Sequence, residues 1–260
     1  MARRGSLSII LCFYRLAKVL FAPNPELVEM LTARTKRPAF LMQRGIDTGL
    51  FSPEKRDRMD DGFVIGFVGR LSPEKNVRLL VEVENRLLSN GIKDARFVIV
   101  GDGSELQWLK ANLKNADFTG VLTGETLARV YANMDTFLFP SETDTFGNVV
   151  LEAMAAGVPV LVSKGGGPKY LVRSRFNGFV AQTFETFVEA LLDLRSHPWL
   201  RRNMGEHARA TAMEHSWDSV FEKVYERYWV ALKPGLLPAP QVRDQSGWVV
   251  GNDRVHLGRD

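Results

Sequence analysis

Two acidic residues around one apolar stretch have the types and spacing of a site for a phosphorylated ligand. Glu152 is the single charged residue in the segment 145–163. An unpaired carboxylate in such surroundings is costly, so Glu152 needs a dedicated partner. Asp144 lies eight positions earlier, in the loop before the helix that this segment predicts. A helix that begins near Gly147 and Asn148 presents free backbone N–H groups between the two acids, where phosphate commonly binds. The layout suits a sugar joined to a nucleotide through phosphates; the alternative is a buried helix whose Glu152 has a structural role.

A pair of basic residues follows the first strand of the regular part of the chain. The segment VGRLSPEKN, residues 68–76, places Arg70 and Lys75 on either side of a Ser-Pro turn. A guanidinium binds phosphate as a two-pronged donor and an ammonium as a point charge, so the two can bind one diphosphate together. A solvated basic loop is the alternative, but the acidic motif favours the diphosphate site.

The stretch PSETDTFGNVVLEAMAAGVPV, residues 140–160, resembles the paired-acid motif of retaining GT-B glycosyltransferases of the GT4 type. In that motif two glutamates are separated by seven residues, whereas the first acid here is an aspartate, Asp144. The resemblance covers roughly residues 19–230. The matching positions are Asp144, Phe146, Gly147, Glu152, Ala153, Met154, Gly157 and Pro159.

The resemblance implies a role for each residue of the site. Asp144, whose side chain is one methylene shorter than the glutamate of the family motif, would contact the donor sugar, and Glu152 would contact the ribose hydroxyls. Arg70 and Lys75 would neutralise the donor diphosphate and support the departing nucleotide. The remaining donor contacts implied are Phe146, Gly147, Asn148 and Val149 at the helix start, and the backbone of Val121 and Leu122 beside the base. No cofactor and no metal are expected.

The implied activity is transfer of a hexose, with mannose or glucose favoured, from a nucleotide diphosphate sugar to a lipid or glycan acceptor with retention. One alternative is a non-catalytic nucleotide-sugar-binding fragment or one half of a split enzyme. Another is a Rossmann-type oxidoreductase, suggested weakly by Gly101 and Gly103 after the second strand. The third glycine of that fingerprint is replaced by Leu106, and no acid is well placed for a ribose, so a tight structural turn is the better interpretation.

Strands and helices alternate regularly from residue 62 onward, which predicts a doubly wound, Rossmann-like parallel sheet with helices on both faces. Ligands of such sheets bind at the carboxyl ends of the strands, where the acidic and basic clusters fall. The expected strands are Phe63–Val68, Arg96–Val100, Ala116–Gly120, Thr136–Phe139, Pro159–Val162 and Gly178–Ala181. The expected helices are Val77–Ser89, Ser104–Leu113, Glu125–Asn133, Gly147–Ala156, Phe184–Ser196, Pro198–Met213 and Trp217–Trp229.

Three parts of the chain are expected. Residues 1–60 are interpreted as the last elements of an N-terminal acceptor domain plus a linker, residues 61–232 as the nucleotide-sugar-binding domain with its closing helices, and residues 233–260 as a flexible tail. Within the first part the pattern predicts helices at Leu7–Lys18 and Pro25–Arg34 and strands at Val19–Ala22 and Ala39–Gln43. In the resembling family the final helix crosses back onto the N-terminal domain. Because only the last elements of that domain are expected here, part of the apolar face of the helix is expected to be exposed.

Composition and charge narrow the class of protein and its partners. The net charge of +4 is mild and gives no case for nucleic acid, and the single cysteine, Cys12, excludes an intrachain disulfide framework. A cytoplasmic protein, with peripheral membrane attachment as an option, is therefore expected. The implied partners are a nucleotide-sugar donor, a lipid or glycan acceptor, a membrane surface and a separate acceptor-domain chain. Gly165–Gly167 allow either close approach of a ligand or an unusual turn, while Leu127 and Tyr131 are expected to belong to the core.

Overall fold

The computed structural model describes residues 10–232. Its main sheet has six parallel strands. The predicted doubly wound parallel sheet is confirmed, and each strand begins and ends within one residue of its expected position. The strands are β3 (Phe63–Val68), β4 (Ala95–Val100), β5 (Ala116–Gly120), β6 (Thr136–Phe139), β7 (Val160–Ser163) and β8 (Gly178–Ala181).

Three central strands form the core of the sheet. Every residue of β3, β6 and β7 is buried, which explains their continuous apolar sequences. At the edge, β5 alternates between partly buried and exposed residues. Across the sheet the strands lie in the order β5-β4-β3-β6-β7-β8. The chain therefore adds strands outward in opposite directions from the neighbours β3 and β6, and the strand order reverses between them. A crevice at the carboxyl ends of these two strands is the usual ligand site of this topology.

The helices also follow the predicted pattern to within a few residues. Thr183 caps one of them through a reciprocal capping box with Thr186, and Gly147 begins another in the left-handed conformation, with φ of 71°. The helices of this part are α2 (Leu79–Ser89), α3 (Leu106–Asn112), α4 (Gly124–Ala132), α5 (Asn148–Ala155), α6 (Phe184–Ser196), α7 (Pro198–Met213) and α8 (Trp217–Leu232).

A small first layer, residues 20–41, precedes the main sheet along the chain. Strands β1 (Leu20–Ala22) and β2 (Ala39–Leu41) pair in parallel and are connected by helix α1 (Pro25–Thr35), which Asn24 caps. Their apolar side chains form a separate small core. The first predicted helix was too long, because the described helical residues end at 14. Beyond that point Arg37 Nε donates to the carbonyl of Arg15, and the chain turns into β1. The start of that helix and the expected tail, 233–260, lie outside the described residues.

The last two helices connect these layers. Arg209 of α7 donates to the carbonyl oxygens of Thr48, Phe51 and Ala155. It thereby holds the segment 42–51, the connecting segment between the first layer and the main sheet, against α5. Helix α8 returns to the first layer, where the ring of Tyr228 meets that of Phe21 edge-on at 5.7 Å. The expected exposure of its apolar face is confirmed for Trp217, Phe221, Tyr225, Tyr228, Trp229 and Leu232. Among the described helices, none is long and apolar enough to cross a membrane.

Candidate functional site

The loops after β3, β6 and β7 meet at one edge of the sheet and bring the sequence-predicted charges together. After β3 the chain forms a short 3-10 turn at Pro73–Lys75, which Asn76 ends in the left-handed conformation with φ of 52°. The carbonyl of Glu74 in this turn accepts hydrogen bonds from Ser141 and Thr143 of the loop after β6. The two predicted clusters therefore form one structure at the point where the strand order reverses.

Lys75 and Asp144 form an ion pair at the centre of this structure. Nζ of Lys75 donates to Oδ2 of Asp144, and both side chains are largely buried, with 19% and 22% of their surfaces exposed. Nζ also lies 5.6 Å from the centroid of the Phe139 ring. Burial raises the pKa of Asp144, but Lys75 and the backbone amide of Gly147 outweigh it, so the pKa lies below its ordinary value. The carboxylate is therefore charged at neutral pH.

The start of α5 lies directly beside this pair. The amide of Gly147 donates to Oδ1 of Asp144 at 3.2 Å, and the first hydrogen bonds inside the helix run from Val150 and Leu151 to the carbonyl of Gly147. The amides of Asn148 and Val149 precede that ladder and lie at the positive end of the helix. Phe146 packs under the guanidinium of Arg44, which lies 4.8 Å from the ring centroid. This arrangement can bind an anion between Lys75 and the helix.

Glu152 lies one turn further along α5 and has the partner that its surroundings require. The hydroxyl of Tyr131, on α4, donates to Oε2 of Glu152 at 2.8 Å. Burial raises the pKa of Glu152, and the hydrogen bond from Tyr131 offsets part of this rise. The phenol is fully buried and its own pKa is raised well above its ordinary value by burial and by the carboxylate. Tyr131 belongs to the core, as predicted, but its contact with Glu152 was not foreseen.

Three other predicted residues lie further out. Arg70 is exposed over 72% of its side chain and faces Glu74, whose Oε1 is 3.5 Å from its Nη1, rather than the ion pair. Val121 is 71% exposed after β5, and Leu122 packs partly against the core. The structure thus joins Lys75, Asp144, Gly147 and the start of α5, and it leaves Arg70 and Val121 at the rim.

The glycine-rich segments receive a structural explanation. Gly166 has φ of 71°, and the amide of Gly167 donates to the carbonyl of Asp144 at 2.7 Å. A Cβ on Gly167 would lie 1.7 Å from the carbonyl oxygen of Thr145. These glycines therefore allow the loop after β7 to pack closely on the loop that carries Asp144. Gly101 and Gly103 likewise pack against the backbone of residues 69–71, which confirms the tight turn proposed for them.

A cleft of about 470 Å³ opens between this site and helix α1. Asp144, Thr145 and Gly166 line one wall, and Asn24, Leu27 and Met30 of the first layer line the other. At its edge Lys169 Nζ and Glu26 Oε1 lie 3.0 Å apart. Sequence reasoning missed these α1 residues and Arg44, because only the tertiary fold places them beside the motif. Within residues 10–232, no group of three or more histidine, cysteine or acidic side chains has the geometry of a metal site.

The fold is that of the Rossmann-like half of a GT-B glycosyltransferase. A family profile described as glycosyl transferases group 1 matches residues 51–211, and the chain belongs to that family. It is 36% identical, over 81% of its length, to a GDP-mannose-dependent alpha-mannosyltransferase of Mycolicibacterium smegmatis, of which it covers 56%. The chain thus spans about half the length of the curated relatives it matches.

Solved structures share the fold at lower identity. A sucrose-phosphate synthase from Thermosynechococcus elongatus superposes with a TM-score of 0.74 at 22% identity, covering 88% of this chain and 62% of that one. Anabaena HepE in complex with UDP superposes with a TM-score of 0.70 at 20% identity, covering 82% and 64% of the two chains. These likenesses support the fold assigned above.

Proposed function

We propose that this chain forms the donor-binding part of a retaining hexosyltransferase that uses a nucleotide diphosphate sugar. The observation that carries the proposal is the convergence of Lys75, Asp144 and the first turn of α5 where the strand order reverses. A cation and free amides there bind a diphosphate, and Glu152, one turn further along the helix, binds the ribose. The mannosyltransferase relatives favour mannose, with GDP as its carrier.

In the proposed mechanism the protein acts mainly through fixed charge. As the bond between sugar and diphosphate breaks, negative charge develops on the leaving phosphate, where Lys75 and the amides near Gly147 stabilise it. Arg70 approaches from the rim as the outer phosphate ligand. These groups supply the positive charge that the leaving diphosphate needs, so we propose no metal and no cofactor.

The Lys75–Asp144 ion pair gives the free site a defined resting state. We infer that the entering diphosphate takes over part of the interaction with the Lys75 ammonium, while Asp144 turns its acceptor capacity to the sugar hydroxyls. Asp144 is a sugar-orienting residue in this mechanism and not a nucleophile. The acceptor, a lipid or glycan, would enter from the cleft beside α1, on the other side of Asp144 from the nucleotide.

Calorimetric titration with GDP and UDP tests the proposal. We expect one of the two to bind at micromolar concentration and the binding to be lost in both Lys75→Ala and Glu152→Ala. Lys55→Ala is the matched control, because Lys55 is the same residue in the same type of turn away from the cleft. A folded wild-type chain that binds neither nucleotide would contradict the proposal.

A second assay addresses transfer itself. The expected product from GDP-mannose or UDP-glucose retains the donor's anomeric configuration, which NMR of the product reads directly. Binding of the donor without transfer or hydrolysis would instead identify a nucleotide-sugar-binding module.

A further inference from the structure

Tyr131 has a buried hydroxyl group that the packing of its ring does not require. Its ring is fully buried, edge-on to Phe51 at 5.7 Å and tilted against Phe137 at the same centroid distance. A phenylalanine would fill this three-ring cluster equally well. The added hydroxyl needs a partner in the interior, and the fold directs it to the carboxylate of Glu152 rather than to a backbone carbonyl.

The hydrogen bond is one-sided, because it occupies only one oxygen of the carboxylate. Tyr131 donates to Oε2, and Glu152 itself is only partly buried. The donor lies on α4 and the acceptor on α5, so the bond joins two helices whose packing fixes both ends. Glu152 is therefore held from inside the protein, while its second carboxylate oxygen accepts no hydrogen bond from the described residues.

We propose that Tyr131 is a positioning residue of the donor site, whose hydroxyl fixes the Glu152 carboxylate so that its second oxygen meets the ribose hydroxyls. This inference rests on the proposed function, since it deepens the role given there to Glu152. Tyr131 does not touch the nucleotide. It acts by restricting the orientation of Glu152 and by stabilising its charged form in a half-buried place.

Among residues 10–232, few other ionisable groups approach α5. Arg209 reaches it from α7 but donates to the carbonyl of Ala155, and the negative charge of Glu54 acts on its guanidinium through space. The Lys75–Asp144 pair lies at the first turn of the helix. The pKa of Glu152 responds to burial, which raises it, and to Tyr131, which lowers it. Removal of the hydroxyl should thus raise the pKa of Glu152 further, and ribose binding should be lost at a higher pH than in the wild type.

The test compares Tyr131→Phe with the wild type on ribonucleotides and on their 2′,3′-dideoxy counterparts. For whichever of GDP and UDP binds, we expect about tenfold weaker affinity in Tyr131→Phe at pH 6 and partial recovery at pH 8. With the dideoxynucleotide, the change should be less than about twofold, because the contact that Glu152 makes is already absent. Leu191→Ala, a buried change on α6, is the control for lost stability and should leave both affinities alone.

A measurement without nucleotide separates a direct effect of the Tyr131 hydroxyl on Glu152 from a general loss of core packing. We expect a ¹³C titration of the Glu152 carboxyl group to show a higher midpoint in Tyr131→Phe and an unchanged one in Leu191→Ala. An unchanged midpoint, or equal losses for ribo- and dideoxynucleotides, would overturn the positioning role. If the wild type binds the nucleotide and Tyr131→Phe binds it equally well, this inference fails and the proposed function stands. If the folded wild type binds neither nucleotide, the proposed function fails and this inference fails with it.

Discussion

The chain contains the tetrapeptide Ser-Pro-Glu-Lys twice, at 52–55 and at 72–75, and only the second lies in the candidate site. Both copies form a 3-10 turn over Pro-Glu-Lys, after a serine in extended conformation. Both lysines are similarly buried, at 25% and 19% of their side-chain surfaces, and both form an ion pair. Local sequence therefore produces the same local structure twice.

The partners of the two lysines differ. Lys55 pairs with Glu125, whose side chain is 75% exposed, whereas Lys75 pairs with Asp144, which is only 22% exposed. The second turn follows β3 at the point where the strand order reverses, and the first follows the connecting segment. The comparison teaches that the chemistry of a lysine here depends on the strand that precedes it rather than on its own tetrapeptide.

The largest effect that separates the two copies is expected in donor binding. Lys75→Ala should weaken binding of the nucleotide diphosphate about a hundredfold, because it removes a charge-assisted contact to the phosphates. Lys55→Ala should change the affinity less than about twofold. Calorimetric titration of both variants checks this, and an equal loss in the two would show that general positive charge rather than the site binds the ligand.

The next effect concerns the loop that supplies Asp144. Gly167→Ala should destabilise the protein by about 2 kcal/mol, because the new Cβ would collide with the carbonyl of Thr145 and displace the loop. Gly49→Ala, in the turn before the first tetrapeptide, meets only Asp47 at 3.4 Å and should stay within about 0.5 kcal/mol of the wild type. Urea unfolding measures both variants; similar stabilities would mean that the close loop contact is not needed.

A smaller effect is expected in the dependence of stability on pH. The pKa of Asp144 is lowered in the folded protein, so its contribution is present above the ordinary carboxyl pKa and is lost as pH falls through the lowered value. Asp144→Asn should cost about 1 kcal/mol near neutral pH, and the difference from the wild type should shrink below about pH 4. Unfolding curves from pH 3 to pH 7 test this, and a constant difference would exclude the ionised pair as its source.

The smallest effect is expected at the first copy. Glu125→Gln should change the free energy of unfolding by less than about 0.5 kcal/mol, because an ion pair with an exposed carboxylate gains little in water. The same unfolding measurement at low and high salt checks this. A cost equal to that of Asp144→Asn would remove the distinction between the two turns.

Much of the fold was predictable because the pattern of apolar residues in the sequence is strong. The continuous apolar runs of β3, β6 and β7 predicted buried parallel strands, and the helix over Asn148–Ala155 was expected from the apolar stretch around Glu152. The predicted end of the first helix was wrong. The carbonyl of Arg15 accepts a hydrogen bond from the side chain of Arg37, which lies 22 positions later in the sequence. Such contacts between distant side chains and backbone leave no local pattern.

The sequence by itself determined the elements, the need for a partner at Glu152 and the residue types of the site, since these follow from local hydrophobicity and from the cost of burying charge. Only the tertiary structure decided that Tyr131 is that partner, that Lys75 rather than Arg70 meets Asp144, and that Lys55 stays outside. The reason is geometric. Parallel strands distant in sequence end at one edge of the sheet, and the order of those strands selects which loops share a cleft.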